Sequence, residues 1–466
     1  MDCGLIVGCI YFNYFEITLI MAEKIVVLGA GESGVGSAVL AQKKGFDVWV
    51  SDKSSIKQQY KDMLVKYNIP FEELQHTEDK ILDAKEVIKS PGIPESADII
   101  KKIRAKGINI ISEIEFAGRY NTAKTICITG SNGKTTTTML TYFILSHAGY
   151  NVGLAGNVGK SFALQVAEEN YDYYVIELSS FQLDGMYDFR ADVAILMNIT
   201  PDHLDRYNYE FQNYINSKFR ILQNLTAEQY FIYWSEDPVI KAEFEKREIL
   251  ASLAPFGSSK DDNVAWIDDA DMHVNYMNSF SLPIDSIFIK GVHNLYNSMA
   301  ASLAASIVGI SDAVIKEALA LFKGVEHRLE YVDTINGVRY INDSKATNID
   351  SCWYALKSMT TPTVLILGGT DKGNDYNAIL DLVKQKVHTL VFMGVDNAKL
   401  VKFFSENSDI PFVDTHSLKD AVNACYNAAK EGDTVLLSPC CASFDLFKNY
   451  ENRGELFKEE VHRLNR

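Results

Sequence analysis

Lys124–Thr138 reads KTICITGSNGKTTTT. The apolar run Ile126-Cys127-Ile128 has the length and composition of a short buried strand. The chain then turns through Gly130-Ser131-Asn132-Gly133 and enters a threonine-rich helix at Thr135. A strand, a glycine-rich turn and a helix start make a phosphate cradle. Backbone N–H groups in the turn are expected to point inward, and the helix N-terminus adds partial positive charge. Lys134 brings a full charge to the terminal phosphates, and the Thr135 hydroxyl is a candidate ligand for Mg²⁺. Gly130, Ser131, Asn132, Gly133, Lys134, Thr135 and Thr136 are therefore the candidate nucleotide-binding residues of this stretch. The spacing departs from the usual G-x-x-x-x-G-K-[ST], because only Ser131 and Asn132 separate Gly130 from Gly133. The competing reading is a turn carrying a surface lysine.

A chain of 466 residues exceeds one ordinary core, so two or three domains are expected. With 47% hydrophobic residues each domain can bury a core. The formal net charge of −16 argues against a nucleic-acid or acidic-membrane partner. It leaves room for a polyanionic small ligand where positive charge is gathered locally, as at Lys134. The seven cysteines are scattered apart from Cys440-Cys441, with no C-x-x-C pair, which fits free thiols in a reducing cytoplasm. Leu5 to Met21 is apolar and aromatic, but Asn13 and Glu16 interrupt it and no basic segment precedes it. It makes a poor signal peptide and a poor membrane span. Residues 1–20 are expected to be a non-native or disordered extension, with Met21 as the natural start.

In chain order, strand Ile25–Leu28 leads into Gly29-Ala30-Gly31-Glu32-Ser33-Gly34, a helix, and a second strand ending at Asp52. This G-x-G-x-x-G with an acidic residue after the second strand places a diphosphate near a helix N-terminus, without specifying nicotinamide. Further alternation comes next, with the turn Ser90-Pro91-Gly92. Ser112 with Glu115 then reads as a capping box. In the central region, Gly156-Asn157-Val158-Gly159 is a second glycine-rich turn. Strand Tyr173–Ile176 carries Glu177 at its carboxyl end, where ligands gather in an open α/β sheet. Glu177 is a natural Mg²⁺ ligand, or else a helix-capping carboxylate. Strand Ala194–Met197 leads to Thr200-Pro201-Asp202-His203, which puts His203 at the same edge. His293-Asn294 opens a long helix with Asn297 one turn on, where Asn294 can serve simply as a cap. From Arg339 alternation resumes, with strands near 338–342, 363–367, 389–393, 411–413 and 434–438. The fold class is α/β in three domains: Rossmann-like over 22–112, a central P-loop mononucleotide-binding unit over 113–325, and a C-terminal Rossmann-like unit over 326–466.

Two nucleotide-type sites on separate domains are more than a dehydrogenase or a switch GTPase needs. TGSNGKTTT, GNVG, ELSSFQL, TPDHLDRY, GVHNLYN, EHRLE, INDSKATN and SPCCASFDLFKNYENRG occur in the order seen in the Mur ligases, which the chain resembles from Met21 to its end. INDSKATN and the SP…ASFD…KN…RG segment are similar to the branch that adds D-glutamate. The resemblance implies an ATP-dependent amide ligase of peptidoglycan precursor synthesis, cytoplasmic and monomeric. Its substrates would be ATP, D-glutamate and UDP-N-acetylmuramoyl-L-alanine, with Mg²⁺ and an acyl-phosphate intermediate.

Residue by residue, the resemblance implies that Lys134 and Thr135 bind the phosphates and a first Mg²⁺, that Glu177 ligates Mg²⁺, and that His203 holds a second. Lys218 would be carbamylated to help position metal; read alone it is a helix-surface lysine. Asn294, Asn297, Arg328 and Asp343 would contact ATP. Asn157 and Gln182 would contact the UDP-linked substrate. Lys345, Thr347, Ser443 and Phe444 would grip D-glutamate, with Lys372 lending charge. Ser33, Asp52, Ser90, Pro91 and Gly92 would hold the uridine diphosphate. The sequence departs from the family's best-known pattern at Glu32, at Tyr450 and at Thr370-Asp371-Lys372. Two other readings stand beside this one: a folylpolyglutamate synthetase-like ligase, and a nucleotide-sensing protein that keeps the fold without the chemistry.

Overall fold

The computed structural model describes residues 22–465, so the expectation for residues 1–21 lies outside the described residues. The described residues build three α/β sheets. The chain divides into two compact units, one through Ile111 and one from Ser112 onward.

The first unit is a parallel sheet of β1 (Lys24–Leu28), β2 (Asp47–Ser51), β3 (Phe71–Glu72), β4 (Glu86–Lys89) and β5 (Asn109–Ile111), in the order β3-β2-β1-β4-β5. Its central strands are apolar runs because helices cover both faces of a parallel sheet. Gly34 lies where the helix Glu32–Lys43 crosses back on β1; a Cβ there would run into the Gly29 carbonyl oxygen.

The second unit holds two sheets. The larger contains β6 (Lys124–Thr129), β7 (Val152–Gly156), β8 (Tyr173–Glu177), β9 (Val193–Leu196), β10 (Tyr230–Trp234), β11 (Ser252–Gly257), β12 (Ala265–Ile267), β13 (Asp271–Asn275) and β14 (Ser279–Pro283). Their order is β14-β13-β12-β11-β10-β9-β6-β8-β7, with only the β12–β13–β14 meander antiparallel. β6 sits between β8 and β9, so the loops leaving these three strands share one sheet edge. That is the usual position of a ligand in an open α/β sheet. The helix Lys134–His147 packs against the helix Val292–Val308, burying Leu140, Ile144, Met299 and Leu303 over the strands.

The last sheet comprises β15 (Glu330–Ile335), β16 (Val338–Asn342), β17 (Thr363–Gly368), β18 (Val387–Met393), β19 (Phe412–Thr415) and β20 (Thr434–Cys440), in the order β15-β16-β20-β17-β18-β19. Successive side chains face opposite sides of a strand. Leu365, Leu367 and Leu436 accordingly enter one core, and Val364, Ile366, Val435 and Leu437 the other. β20 lies between β16 and β17, so Asp343, Thr370 and Cys441 leave neighbouring strand ends.

Two local expectations are corrected. Ser112 Oγ accepts the Glu115 amide at 3.2 Å, but the reciprocal half of the capping box is replaced. The Glu115 carboxylate turns instead to accept the amides of Tyr187, Asp188 and Phe189 at 2.9, 3.1 and 3.0 Å. Three donors on one oxygen outweigh one. The strands β7 and β10–β15 and the short β3 are additions that periodicity does not flag. Cys127, Cys352, Cys425, Cys440 and Cys441 are buried free thiols. Burial pushes the Cys127 and Cys425 thiols well up and Cys441 to about 11. Among the described residues, no helix is long and apolar enough to cross a membrane.

Candidate active site

The turn after β6 is held by Asn198. Its Oδ1 accepts the Asn132 amide at 2.8 Å, and its Nδ2 donates to the Asn132 carbonyl at 3.0 Å. Its own carbonyl accepts the Ser131 amide at 2.9 Å. These two amides are therefore committed to the β9 loop, which corrects the expectation that the turn's N–H groups point inward. The shortened loop lacks the residues to brace itself, and Asn198 braces it from outside. Among the donors left for an anion are the first-turn amides of the helix starting at Lys134, which have no partner within the helix. Ser131 Oγ is likewise tied down: it donates to the Thr200 carbonyl at 2.8 Å, accepts the Thr200 amide at 2.9 Å and meets Tyr214 Oη at 3.0 Å. Gly133 has φ +84°, and a Cβ there would stand 2.6 Å from Asn297 Oδ1. Only glycine fits that approach.

Lys134 Nζ donates to the carbonyls of Gly130 and Ser131, both at 2.8 Å. Burial lowers its pKa, and the charges of Glu177 and Asp202 pull the other way. Glu177 ends β8; its Oε1 accepts from Asn157 Nδ2 at 2.7 Å, while its Oε2 is buried with no hydrogen-bond partner. The capping alternative for Glu177 fails, since Ser179 caps the next helix. Gln182 completes that cap: its Oε1 accepts from the Ser179 amide at 2.9 Å and from the Ser179 hydroxyl at 2.8 Å. Lys218 is no surface lysine. It is buried in the helix Phe211–Phe219, and its Nζ donates to Thr129 Oγ1 at 3.1 Å. Burial first, and the Lys134 charge second, hold its pKa well below the ordinary lysine value.

His203 adopts a left-handed backbone, φ 51°, in the loop after β9. Its ring meets Phe181 edge-on at 5.1 Å, and the Arg206 guanidinium lies over the same Phe181 ring at 4.4 Å. Burial lowers the His203 pKa against the pull of Asp202, with Lys134, Lys372 and Lys218 adding to the fall. The site thus gathers Lys134, Glu177, His203 and Lys218 around the ends of β6, β8 and β9. A buried carboxylate oxygen without a hydrogen-bond partner suits a hard divalent cation. Thr136 Oγ1 is also buried and unpartnered.

A pocket beside the turn is lined by Asn132, Gly133, Asn297, Arg328 and Asp343, with Trp234, His293, Tyr296 and Tyr354 as its aromatic walls. Sequence reasoning missed those walls; the aromatic run YFIYW of β10 was the signal for Trp234. Asn294 does not line the pocket. It accepts from Asn297 Nδ2 at 3.0 Å and donates to the Lys290 carbonyl at 2.9 Å, so it orients Asn297. Arg328 Nε is buried without a partner. Asp343 accepts from Ser438 Oγ at 2.8 Å and from the Leu329 amide at 3.2 Å; burial raises its pKa to about 7 against the Arg328 charge. Burial and the Arg328 charge lower His293 to about 4.

The segments leaving β16, β17 and β20 complete the second unit's contribution. Lys345 Nζ donates to Thr135 Oγ1 at 2.8 Å, and burial with the Arg328 charge lowers its pKa to about 8. Ser351 donates to Asn132 Oδ1 at 3.2 Å, and Thr200 donates to Asp350 at 2.7 Å. Thr347 is half-buried, Ser443 buried, and Lys372 and Phe444 exposed. Lys372 rides on a turn that the Asp371 carboxylate organises through the Gly373 and Asn374 amides, Tyr376 and Lys399. In the first unit, Asp52 accepts the Ala30 amide and the Ser54 amide, each at 2.7 Å. Ser90 Oγ donates to the Gly29 carbonyl at 3.3 Å, Pro91-Gly92 continues that turn, and Ser33 is half-buried at the helix start beside an exposed Glu32.

Three family models match in sequence: a MurD-like N-terminal domain over residues 23–112, a Mur ligase middle domain over 128–305 and a Mur ligase glutamate ligase domain over 327–441. UDP-N-acetylmuramoylalanine–D-glutamate ligase of Bacteroides fragilis is 59% identical over 444 residues, spanning 95% of this chain and 100% of that protein. Among solved structures, UDP-N-acetylmuramate–alanine ligase MurC of Thermotoga maritima superposes with a TM-score of 0.61 at 18% identity, covering 95% of this chain and 99% of that one. MurF ligase of Thermotoga maritima in complex with ADP gives 0.60 at 13% identity, with 95% and 99% covered. These two share the fold. The ordered domains and the full-length identity to the Bacteroides ligase carry the assignment further: the chain belongs to the Mur ligase family.

Proposed function

We propose that this protein forms an amide bond between D-glutamate and UDP-N-acetylmuramoyl-L-alanine, using ATP and releasing ADP and phosphate. The single observation that carries this reading is the 59% identity, over 95% of this chain, to a relative named for that reaction. A carboxylate is a poor electrophile. ATP phosphorylates it, the amine of D-glutamate attacks the acyl phosphate, and phosphate leaves. Bringing the carboxylate to a triphosphate is repulsive by about 4 kcal/mol for two unit charges 4 Å apart at an effective dielectric of 20. Lys134 and the helix amides behind it offset that repulsion, as in other phosphoryl transfers.

Asn132 to Thr136, Asn297, Arg328 and Asp343 take the nucleotide, with Gly130 and Ser131 shaping the turn and Asn294 acting through Asn297. The aromatic walls suit a flat base. Mg²⁺ would be held by Thr135, Glu177 and His203 and would supply charge neutralisation at the phosphates. Lys218 as an amine is no ligand for it. Its lowered pKa favours the neutral amine that adds CO₂ to form a carbamate and release a proton, and the carbamate is an oxygen donor. Lys345, Thr347, Lys372, Ser443 and Phe444 hold D-glutamate. Asn157 and Gln182 contact the sugar-linked substrate, and Ser33, Asp52, Ser90, Pro91 and Gly92 the uridine diphosphate. We divide the chain at 22–112, 113–325 and 326–466 on the same reading. We place it in the cytoplasm as a monomer without nucleic-acid or membrane partners; its net charge of −16 and its buried free thiols support this.

The test is phosphate release from ATP with UDP-N-acetylmuramoyl-L-alanine, with and without D-glutamate. Release that depends on both substrates is expected. Release with a pterin substrate and L-glutamate in their place, or no release at all, rejects the proposal.

A further inference from the structure

Arg453, in the helix Tyr450–Arg463, is the largest fully buried side chain among the described residues. Its Nε donates to Ser344 Oγ at 2.9 Å and its Nη2 to the Ser344 carbonyl at 2.8 Å. Nη1 and Nη2 both donate to the Cys441 carbonyl at 3.2 Å. None of these acceptors is a carboxylate. Burying a guanidinium against neutral acceptors is costly, and an apolar side chain of similar volume would stabilise the core at less expense. Burial lowers the Arg453 pKa to about 10. What the guanidinium adds is a planar fork of donors at fixed angles, which sets a distance between the two backbones it bridges.

Those backbones matter for position. Ser344 precedes Lys345 by one residue, and Cys441 precedes Ser443 by two. Between them, Ala442 pairs with Thr370: the Thr370 amide donates to Ala442 at 2.8 Å and the Ala442 amide donates back at 3.3 Å. Thr370 in turn stands two residues before Lys372. The Ser344 hydroxyl donates to the Tyr450 carbonyl at 2.8 Å, which closes the circuit onto the helix that carries Arg453. Three segments, leaving β16, β17 and β20, are therefore keyed to one side chain that lies beneath them.

We propose that Arg453 is a positioning residue that sets the spacing of the Lys345–Thr347, Lys372 and Ser443–Phe444 segments, and through it the affinity for the amino-acid substrate. This rests on the proposed function, in which those segments hold D-glutamate. The Asn198, Trp234 and Tyr296 side of the nucleotide pocket receives no hydrogen bond from the fork; Asp343, one residue before Ser344, lines the pocket from the other side, so the nucleotide is expected to feel a smaller effect than the amino acid.

The test varies ATP, the muramoyl nucleotide and D-glutamate in turn with the full chain. Arg453→Lys keeps the charge and loses the fork. Its KM for D-glutamate should rise tenfold or more, with KM for ATP within twofold and kcat at saturating D-glutamate within threefold. Where Arg453→Lys does not fold, Ser344→Ala removes the hydroxyl that accepts from Nε and donates to the Tyr450 carbonyl while keeping the Ser344 carbonyl acceptor, and a several-fold rise larger for D-glutamate than for ATP is expected. Equal rises in KM for ATP and D-glutamate overturn the proposal, as does a lowered Tm with unchanged KM for D-glutamate. A wild type that turns over with a different amino acid rejects the D-glutamate reading alone; a selective KM shift for that amino acid still supports the role of Arg453.

Discussion

The chain writes strand, glycine turn and helix twice, and the two copies solve different electrostatic problems. After β1, the turn Gly29–Gly34 has one amide, Ala30, accepted by the Asp52 carboxylate, and its helix begins with the exposed Glu32. It offers a diphosphate no full positive charge of its own. After β6, the turn Gly130–Gly133 is braced by the neutral side chain of Asn198, and Lys134 comes at once, with Glu177 and Lys218 buried nearby. The first arrangement suits holding a ligand that leaves unchanged. The second places charge where charge must move. The same grammar therefore does not predict the same chemistry; the residue that opens the helix, Glu32 in one copy and Lys134 in the other, decides it.

The largest expected effect tests the charged copy. Lys134→Ala should lower turnover by about a thousandfold, near 4 kcal/mol of transition-state stabilisation. Retention of phosphate release within tenfold would dissolve the contrast. Next is the brace. Asn198→Ala frees the Asn132 amide and carbonyl, and KM for ATP should rise about tenfold, the worth of one or two lost hydrogen bonds. An unchanged KM would show that the short turn holds its shape unaided. In the uncharged copy, Asp52→Asn keeps one acceptor and faces an amide with N–H donors. A loss of about 1–2 kcal/mol in stability is expected, with KM for the uridine substrate rising a few-fold and KM for ATP unmoved. A shift in the ATP value would contradict the separation of roles.

The smallest effect is a pH dependence. Burial raises Asp343 from 3.8 to about 7 in the folded chain. Between those values the folded protein retains a proton that the unfolded chain has released, so this residue's contribution to stability falls as pH rises through that window. Asp343→Asn should flatten the decline of Tm between pH 4 and 7, read by calorimetry. An identical slope in both proteins would place the titration elsewhere.

Much of this was legible in the residues. Strand-turn-helix periodicity located Lys134, and the carboxyl ends of apolar runs located Glu177 and the loop bearing His203. Composition could not reveal Lys218 as a buried amine, because its own helix reads as ordinary; burial comes from β6 and the helix Ser180–Leu183 packing against it. The braces were invisible for the same reason. Asn198 and Arg453 act on backbone atoms 66 and 109 residues away, and no local pattern encodes such partners. At Glu115 the local pattern was present and still misled, since the amides of Tyr187–Phe189 competed for the same carboxylate. β12 spans three residues, too few for alternation to register, and β13 and β14 alternate polar with apolar residues instead of forming the continuous apolar runs that mark the parallel strands.

The buried thiols have a practical consequence. A maleimide or iodoacetamide reacts with the thiolate, and the described cysteines are shielded and hard to deprotonate in the folded state. Alkylation of Cys127 therefore clocks opening of the large sheet, and alkylation of Cys425 opening of the last one. Peptide mass spectrometry of a timed alkylation series would then resolve whether the two sheets of the second unit come apart together or one after the other.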